Sequence, residues 1–311
     1  MKAVVVEHRG EAGSLKEIPV PQPGPDQILV RVAAAGVNPI DWKRRDRPNE
    51  KFPFVLGQDF AGVVSAPGAG IRTYREGERV FGIAGEHGSY AEYTIASERD
   101  DPIAKIPDSV GDAEAAALPT AGLTALAAIE ALHVTKGMTL LVLGATGGVG
   151  GFAVQIAHDR GVRVIGTGRS SSDAFARSLG VDEFIAYDRQ NAVQAVKATH
   201  PDGIDAALDL VDDADAIKAL AQIVHAEGRI VSTVHSADVE WFARKTISAQ
   251  NIGLFGTPQF SHAGLRALLE LLEQKRIRVV ISAEHSLSDA VVALEESKRG
   301  AISGKLVITV D

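Results

Sequence analysis

The feature that most constrains the fold of this chain is an apolar stretch that runs into a glycine-rich turn. The stretch is LLVL at residues 140–143, the turn is GATGGVG at residues 144–150, and an apolar-faced helix is predicted at residues 151–160. Gly147 leaves room for a pyrophosphate close to the backbone, and Gly150 allows the helix to pack closely on the strand. The free N–H groups at the start of the helix can hold an anion.

This order of strand, turn and helix predicts a dinucleotide-binding site. Ala145 stands where the usual G-x-G-x-x-G pattern has its first glycine, which eases the tight turn, but alanine is small and Gly144 precedes it. The alternative is a glycine-rich turn that binds no ligand. The residues predicted to contact the dinucleotide here are Gly144, Ala145, Thr146, Gly147, Gly148, Val149 and Gly150.

The end of the next strand selects between NADH and NADPH, because an acidic residue there accepts hydrogen bonds from the adenosine ribose. In this chain the segment VIGTGRSSS at residues 164–172 has no carboxylate. Arg169 offers a planar guanidinium suited to a phosphate, and Ser170 offers a hydroxyl donor. The sequence therefore predicts NADPH, with Gly168, Arg169 and Ser170 at its 2′-phosphate; the alternative is a solvated arginine in a polar loop.

The chain changes character along its length. Up to about residue 115 it is β-rich, with β-branched runs at residues 3–6, 28–32, 61–64 and 90–95 interrupted by Pro and Gly. From about residue 119, strands alternate with helices, which predicts an α/β fold with a parallel sheet. The predicted strands are residues 139–143, 162–167, 183–186, 206–210, 229–234 and 252–255, and helices are predicted at 151–160 and 213–225. Beyond them we expect a helix at 262–274, a strand near Val279, a helix at 289–298 and a strand at 305–310.

Composition excludes several functions. The chain has 311 residues, a formal net charge of −8 and no basic run longer than Lys43-Arg44-Arg45, so nucleic acid is not expected as the main partner. With no cysteine and nine scattered histidines, a dedicated metal site is not expected. No run approaches the roughly 20 apolar residues of a membrane span, and charges at Glu7 and Arg9 interrupt the N-terminus. We expect a cytoplasmic protein without a membrane partner.

Five further segments, in order along the chain, resemble those of the medium-chain dehydrogenase/reductase superfamily, in its quinone and enone reductase branch. They are AAGVNPID (34–41), LGQDFAGVV (56–64), GERVFG (77–82), AALPTAGLTA (116–125) and SGKLV (303–307). The resemblance implies a GroES-like β-rich catalytic domain from residues 1–118 and 257–311. It also implies an inserted Rossmann domain, a doubly wound parallel sheet of residues 119–256, with the substrate cleft between the two domains.

The resemblance also implies that this chain lacks the zinc ligands of the superfamily. Zinc-dependent members of the superfamily have Cys, His and Cys where this chain has Asn38, Gln58 and Thr120, none of them a usual zinc ligand. Without zinc to hold an alkoxide, we expect hydride transfer to an acceptor that is already electron-poor, such as a quinone or an α,β-unsaturated carbonyl.

The resemblance implies roles for individual residues. Asn38 is expected to face the nicotinamide and place the substrate carbonyl, and Thr124 to hydrogen-bond near the nicotinamide, although each is also ordinary turn or helix-start chemistry. Apart from the resemblance, Asp41, His87 and Tyr90 are candidate proton donors; the alternatives are a turn or cap residue, a loop residue and a core residue, respectively, and solvent can also supply the proton. Tyr187 matches a tyrosine near the adenosine phosphate. The predicted cofactor contacts are completed by Val234, Phe255 and Lys305.

Several functional alternatives remain at this point. The chain has Asp212-Asp213 where relatives commonly have two glycines, so an NADPH-binding protein with little or no turnover is the main alternative to a reductase. Binding of single-stranded RNA fits poorly with the acidic balance. By resemblance we expect a homodimer, formed through the sheet edge near residues 252–255.

Overall fold

The computed structural model describes residues 1–300 and 302–310. Among these residues, no helix combines the length and the apolar character that a membrane-spanning segment needs. The strands and α-helices are, in chain order, β1 (Lys2–Val6), β2 (Ser14–Glu17), β3 (Gln27–Val37), α1 (Pro39–Arg44), β4 (Phe54–Val55), β5 (Asp59–Pro67), β6 (Arg79–Ile83), β7 (Tyr93–Ser97), β8 (Ile103–Lys105), α2 (Asp112–Ala117), α3 (Pro119–Leu132), β9 (Thr139–Leu143), α4 (Gly148–Asp159), β10 (Arg163–Gly168), α5 (Asp173–Ser178), β11 (Glu183–Ala186), α6 (Ala192–Thr199), β12 (Ile204–Asp209), β13 (Val224–Ser232), α7 (Val239–Ala243), β14 (Ser248–Asn251), α8 (His262–Glu273), β15 (Ile281–Ser286), α9 (Ala290–Arg299) and β16 (Lys305–Thr309).

The chain forms two compact units. Unit 1 comprises Met1–Ala121, Phe260–Glu273 and Val279–Asp311, and unit 2 comprises Gly122–Gln259 and Gln274–Arg278. The boundary near residue 121 falls within α3. Unit 1 therefore draws on both ends of the sequence, and unit 2 holds its middle.

Unit 2 is built on a parallel sheet with the strand order β11-β10-β9-β12-β13-β14. The first strand in sequence, β9, lies in the middle, between β10 and β12. Successive strands are added first on one side of β9 and then on the other, so the order reverses between β9 and β12. In open α/β sheets, ligands bind at the carboxyl ends of the strands at such a reversal. The core of unit 2 is apolar and includes buried side chains from β9, β10, β12 and β13.

Unit 1 is a β-rich unit centred on the 11-residue strand β3. One edge of β3 pairs with β5, and the other pairs with β7 near its start and with β16 near its end. The sheet continues through β6 and β8 on one side and β15 on the other, and a second sheet has the order β2-β1-β4. This pairing brings the start of β16, near the end of the sequence, to the end of β3, near its beginning.

The structure corrects two predicted elements. A helix at residues 213–225 was expected, but only the 3₁₀ turn Ile217–Gln222 forms, and β13 already begins at Val224. The carboxylate of Asp213 caps this turn by accepting the N–H groups of Asp215 and Ala216, but Val224 pairs with β12, so the chain enters β13 where the predicted helix would have continued.

The last strand of the parallel sheet was predicted at residues 252–255, but β14 is Ser248–Asn251. Ile252 and Leu254 are buried outside the strand, which explains the misleading apolar pattern, and the chain turns at Leu254. An edge strand is solvated along one side and needs no apolar sequence, and Ser248 and Gln250 are exposed.

Candidate functional site

The glycine-rich turn lies at the carboxyl end of β9, where the strand order reverses. Gly144 has a φ of 84°, in the left-handed region that favours glycine. A Cβ at Gly150 would lie 2.1 Å from the carbonyl oxygen of Gly144, so only glycine fits where α4 crosses the strand end. Ala145 is buried, and its N–H donates to the carbonyl of Thr167. Gly144 therefore adopts the unusual backbone angle of the turn, which explains why alanine is accepted at position 145.

The turn has the properties of an anion site. The helix α4 begins at Gly148, after Gly147 as its N-cap, and runs for 12 residues. A Cβ added at Gly147 would meet nothing closer than the carbonyl oxygen of Gly144 at 3.6 Å, so this position is open on the side where a side chain would project. The unpaired N–H groups of the first helical turn and the helix dipole favour a negative charge there. These residues fit the pyrophosphate of a dinucleotide.

A carboxylate that the sequence analysis missed stands beside the predicted 2′-phosphate site. The strands β10 and β11 are neighbours, and Tyr187 N–H donates to the carbonyl of Gly168 at 3.1 Å. Asp188 consequently reaches Ser170, whose N–H and hydroxyl donate to its two carboxylate oxygens at 2.9 and 2.8 Å. These hydrogen bonds lower the pKa of Asp188. Arg169 is exposed, and within the described part of the chain no hydrogen bond or ion pair of its guanidinium is seen.

Asp209, at the end of β12, organises the third segment around the turn. Its buried carboxylate accepts the hydroxyls of Ser232 and Ser236 at 2.7 and 2.6 Å and the N–H groups of Val211 and Asp212 at 3.0 and 2.8 Å. These bonds hold Val211 beside Gly144, where an added Cβ would lie 2.9 Å from its Cγ1. Burial and, to a smaller extent, repulsion from Asp209 raise the pKa of Asp212 to about 6. The segment with two acidic residues is therefore an ordered turn beside the glycine loop.

The centre of the polar cluster in unit 1 is the buried carboxylate of Asp59, the first residue of β5. It accepts Nδ2 of Asn38 at 2.8 Å and the N–H of Thr120 at 3.1 Å, and the Thr120 hydroxyl donates to its other oxygen. Gln58 donates to that hydroxyl at 2.8 Å. The three residues that stand at the zinc-ligand positions of the superfamily are thus brought together, in a hydrogen-bonded network around one carboxylate.

Lys305 supplies the cation of this cluster. Because Leu306 pairs with Val37 across β16 and β3, Lys305 lies beside Asn38. Its ammonium donates to the carbonyl of Val37 at 2.8 Å and to Oδ1 of Asn38, and the residue is only 4% exposed. Both polar atoms of the Asn38 amide are consequently engaged within unit 1.

Asp41 and Tyr90 extend the cluster. One oxygen of Asp41 accepts both the backbone N–H of Asn38 and the hydroxyl of Tyr90, each at 2.8 Å. The Tyr90 ring packs against Gly57, where an added Cβ would lie 2.3 Å from the ring and where φ is 80°. Glycine at position 57 therefore leaves the space in which Tyr90 reaches Asp41.

Burial dominates the ionisation of this cluster. It raises the pKa of Asp41 to about 7 and also raises that of Asp59, while it lowers the pKa of Lys305. The mutual attraction of Asp59 and Lys305 opposes the shift in each. Because Asp59 accepts three hydrogen bonds and Lys305 donates two, we take both groups as ionised on either side of Asn38, and Asp41 as the group that titrates near neutral pH.

These side chains do not fit a zinc ion. Asn38, Gln58 and Thr120 offer two amides and a hydroxyl, which bond to one another or to Asp59, and the Lys305 ammonium stands where it would repel a second cation. Among residues 1–300 and 302–310, no group of three or more His, Asp or Glu side chains is arranged to hold a metal.

The other predicted site residues lie elsewhere in unit 1 or unit 2. Thr124 is half-buried on α3, and Val234 is half-buried, with its N–H bonded to the Ser232 hydroxyl. Tyr187 and Phe255 are 53% and 55% exposed. Thr146 is buried in the glycine turn, and His87 is exposed in a loop of unit 1. Whether any of these residues touches a ligand stays a prediction.

A cavity of about 490 Å³ in unit 2 lies at the other end of α4, a helix about 18 Å long. Of its basic lining residues, Arg276 pairs with Asp159 and Arg177 with Asp173. This cavity is therefore separate from the glycine turn.

The fold and the glycine turn define an oxidoreductase of the medium-chain dehydrogenase/reductase superfamily. Residues 24–108 match the family model described as alcohol dehydrogenase GroES-like domain, and residues 179–308 match that described as zinc-binding dehydrogenase. The chain belongs to the quinone oxidoreductase family of that superfamily.

Individual relatives support this assignment. The chain is 30% identical over 309 residues to the chloroplast envelope quinone oxidoreductase homolog of Arabidopsis thaliana, a match that covers 94% of this chain and 92% of the relative. The solved quinone oxidoreductase from Coxiella burnetii superposes with a TM-score of 0.91 at 33% identity and covers 100% of this chain and 99% of its own. A mycobacterial protein solved in complex with NADPH superposes with a TM-score of 0.89 at 26% identity, covering 99% of both chains.

Proposed function

We propose that this protein is a zinc-independent reductase that transfers hydride from NADPH to a quinone or an α,β-unsaturated carbonyl. The observation that carries the proposal is the cluster in unit 1, in which the residues at the zinc-ligand positions are tied to Asp59 and a buried ammonium stands beside them. An acceptor that is already electron-poor needs no Lewis acid to be reduced, so this environment favours quinones and enones over alcohols.

The glycine turn in unit 2 is the proposed binding site of the cofactor. Residues 144–150 hold the pyrophosphate, Gly168, Arg169 and Ser170 hold the 2′-phosphate, and Tyr187 lies along the adenosine side. Thr124, Val234 and Phe255 are proposed as contacts toward the nicotinamide. When bound, NADPH supplies the hydride.

Asn38 is the proposed acceptor-orienting residue. Lys305 donates to its Oδ1 and Asp59 accepts one of its Nδ2 hydrogens, so one amide hydrogen is left for a substrate oxygen. The nearby ammonium polarises the amide and strengthens that donor. We therefore propose that Lys305 influences the nicotinamide end of the site through Asn38. Asp41, whose pKa lies near 7, is the proposed proton source, and solvent is the alternative.

An acceptor screen tests the proposal. NADPH oxidation is followed by loss of nicotinamide absorbance with ortho-quinones, para-quinones and short enones, after the protein has been treated with a chelator. We expect stimulation by at least one acceptor class and no dependence on added zinc. Tight NADPH binding with no acceptor across the panel would instead support a binding protein without turnover.

We propose a homodimer as the assembled form. The sheet of unit 2 has two edge strands, β11 and β14, and the outward backbone groups of β14 are proposed to pair with a second copy. Sedimentation equilibrium should give about twice the chain mass of 32.7 kDa, and a monomer at micromolar concentration would contradict it.

A further inference from the structure

The inference concerns Asp188 and rests on the proposed use of a nicotinamide dinucleotide by unit 2. Ser170 directs both its N–H and its hydroxyl to the Asp188 carboxylate, at 2.9 and 2.8 Å. These two donors, next to Arg169, are the ones that a 2′-phosphate would use. The proposed phosphate site therefore contains an anion of the protein itself.

We propose that Asp188 is a selectivity residue that limits the preference for NADPH over NADH. A 2′-phosphate carries a charge between −1 and −2 near neutral pH and would meet the carboxylate at the same donors. Like charges in contact disfavour one another, so the phosphate must draw Ser170 away from Asp188 or bind through Arg169 alone.

For the ribose of NADH, the Asp188 carboxylate is favourable. A 2′-hydroxyl is a hydrogen-bond donor, and a carboxylate at a strand end accepts it well. In this chain the carboxylate comes from the end of β11 rather than from the end of β10, and the neighbouring strands bring the two ends together. Arg169 therefore favours the 2′-phosphate of NADPH, whereas Asp188 favours the 2′-hydroxyl of NADH.

The charge on Asp188 is present throughout the working range of pH. The two hydrogen bonds from Ser170 lower its pKa below the ordinary carboxyl value, and Asp188 is exposed. Protonation consequently does not relieve the conflict with the phosphate near neutral pH.

The test compares Asp188→Asn with the wild type by direct titration of NADPH and NADH, read by fluorescence of the reduced nicotinamide. Asparagine keeps an acceptor for Ser170 and removes the charge. We expect the ratio of the NADPH and NADH association constants to rise about five- to tenfold, mainly through tighter NADPH binding. Asp173→Asn is the matched control, because Asp173 pairs with Arg177 rather than with Ser170, and its ratio should stay within twofold of wild type.

The outcomes separate this inference from the proposed cofactor preference. If Asp188→Asn leaves the ratio unchanged, whether both constants stay constant or both weaken together, Asp188 only orders the loop and the inference is wrong. If the wild type binds NADH more tightly but the ratio still rises in Asp188→Asn, the NADPH preference is wrong and the role of Asp188 stands. Asp188→Ser also lacks the charge and should raise the ratio of the NADPH and NADH association constants as well. Agreement of the two variants excludes a folding defect that is specific to asparagine.

Discussion

Asn38 donates its amide Nδ2–H to the buried carboxylate of Asp59 at 2.8 Å, while its amide oxygen faces the Lys305 ammonium. An asparagine held from both sides by opposite charges has a fixed amide orientation. Asn38, Gln58 and Thr120 belong to one hydrogen-bonded network around Asp59, with the Lys305 ammonium beside it.

Replacing Lys305 with methionine removes the cation and keeps an unbranched side chain of similar length. Asp59 then remains buried without the nearby positive charge, and the Val37 carbonyl and Asn38 Oδ1 each lose a donor, so we expect the free energy of unfolding to fall by about 2 to 5 kcal/mol. Urea unfolding at pH 7 measures it. The control is Lys197→Met on the exposed side of α6, which should change stability by less than about 0.5 kcal/mol. A Lys305→Met protein as stable as wild type would show that the buried pair is not ionised.

The double variant Asp59→Asn/Lys305→Met tests the pairing itself. It removes both charges and leaves an amide that can still accept from Thr120 and Asn38. We expect it to lose less stability than the sum of the two single variants, because neither charge is left alone. Additive losses would mean that Asp59 and Lys305 do not interact.

Asp41→Asn tests the effect of burial on ionisation. In the folded chain the pKa of Asp41 is raised from 3.8 to about 7, so between these values the folded state binds more protons than the unfolded state. The contribution of Asp41 to stability therefore falls as the pH rises from about 4 to about 7. Asparagine does not titrate, so the unfolding free energy of Asp41→Asn minus that of wild type should increase over this range. Asp202→Asn, in an exposed turn, is the control; a difference that stays constant or decreases for Asp41→Asn would contradict the raised pKa.

Two adjacent glycines of α4 form a matched pair for the dinucleotide site. A Cβ at Gly150 would lie 2.1 Å from the Gly144 carbonyl oxygen, whereas a Cβ at Gly151 would meet Leu179 at an ordinary 3.4 Å. Gly150→Ala should therefore push α4 away from the turn and weaken NADPH binding at least about tenfold. Gly151→Ala should leave binding within about twofold. Equal effects of the two variants in a fluorescence titration would show that the close contact does not shape the site.

Arg169→Ala tests the proposed 2′-phosphate contact. Loss of a charge-assisted hydrogen bond should weaken NADPH binding by about ten- to a hundredfold and leave NADH binding nearly unchanged. Arg163→Ala removes an exposed arginine at the opposite end of β10 and serves as the control. An equal loss for both cofactors would mean that Arg169 does not distinguish them.

The sequence predicted the parallel sheet well where strands are buried, because an apolar run between turns has few alternatives. Predicted residues 139–143 coincide with the buried central strand β9, and the predicted helix at 262–274 differs from α8 by one residue. Of the two edge strands, β11 lies at residues 183–186 as predicted, whereas β14 was misplaced because its own residues are polar and the apolar residues Ile252 and Leu254 follow it. The predicted helix at 213–225 is cut short because β13 already begins at Val224.

The site was predictable only in part. The glycine turn is visible within eleven consecutive residues, but Asp59 and Lys305 are 246 positions apart and are both brought to Asn38 by strand register. Asp188 does not stand at the usual place for this carboxylate, the end of β10, and reaches Ser170 from two residues beyond the neighbouring strand β11. The usable signal was its position just past β11, since neighbouring parallel strands end at the same edge of the sheet.

The most direct measurement is the rate of NADPH oxidation by chelator-treated protein in the presence of a quinone, beside the same reaction with zinc restored. Our account predicts turnover that depends on the quinone, is unchanged by zinc and is reduced in both Gly150→Ala and Lys305→Met. Turnover that disappears with the chelator and returns with zinc would contradict it.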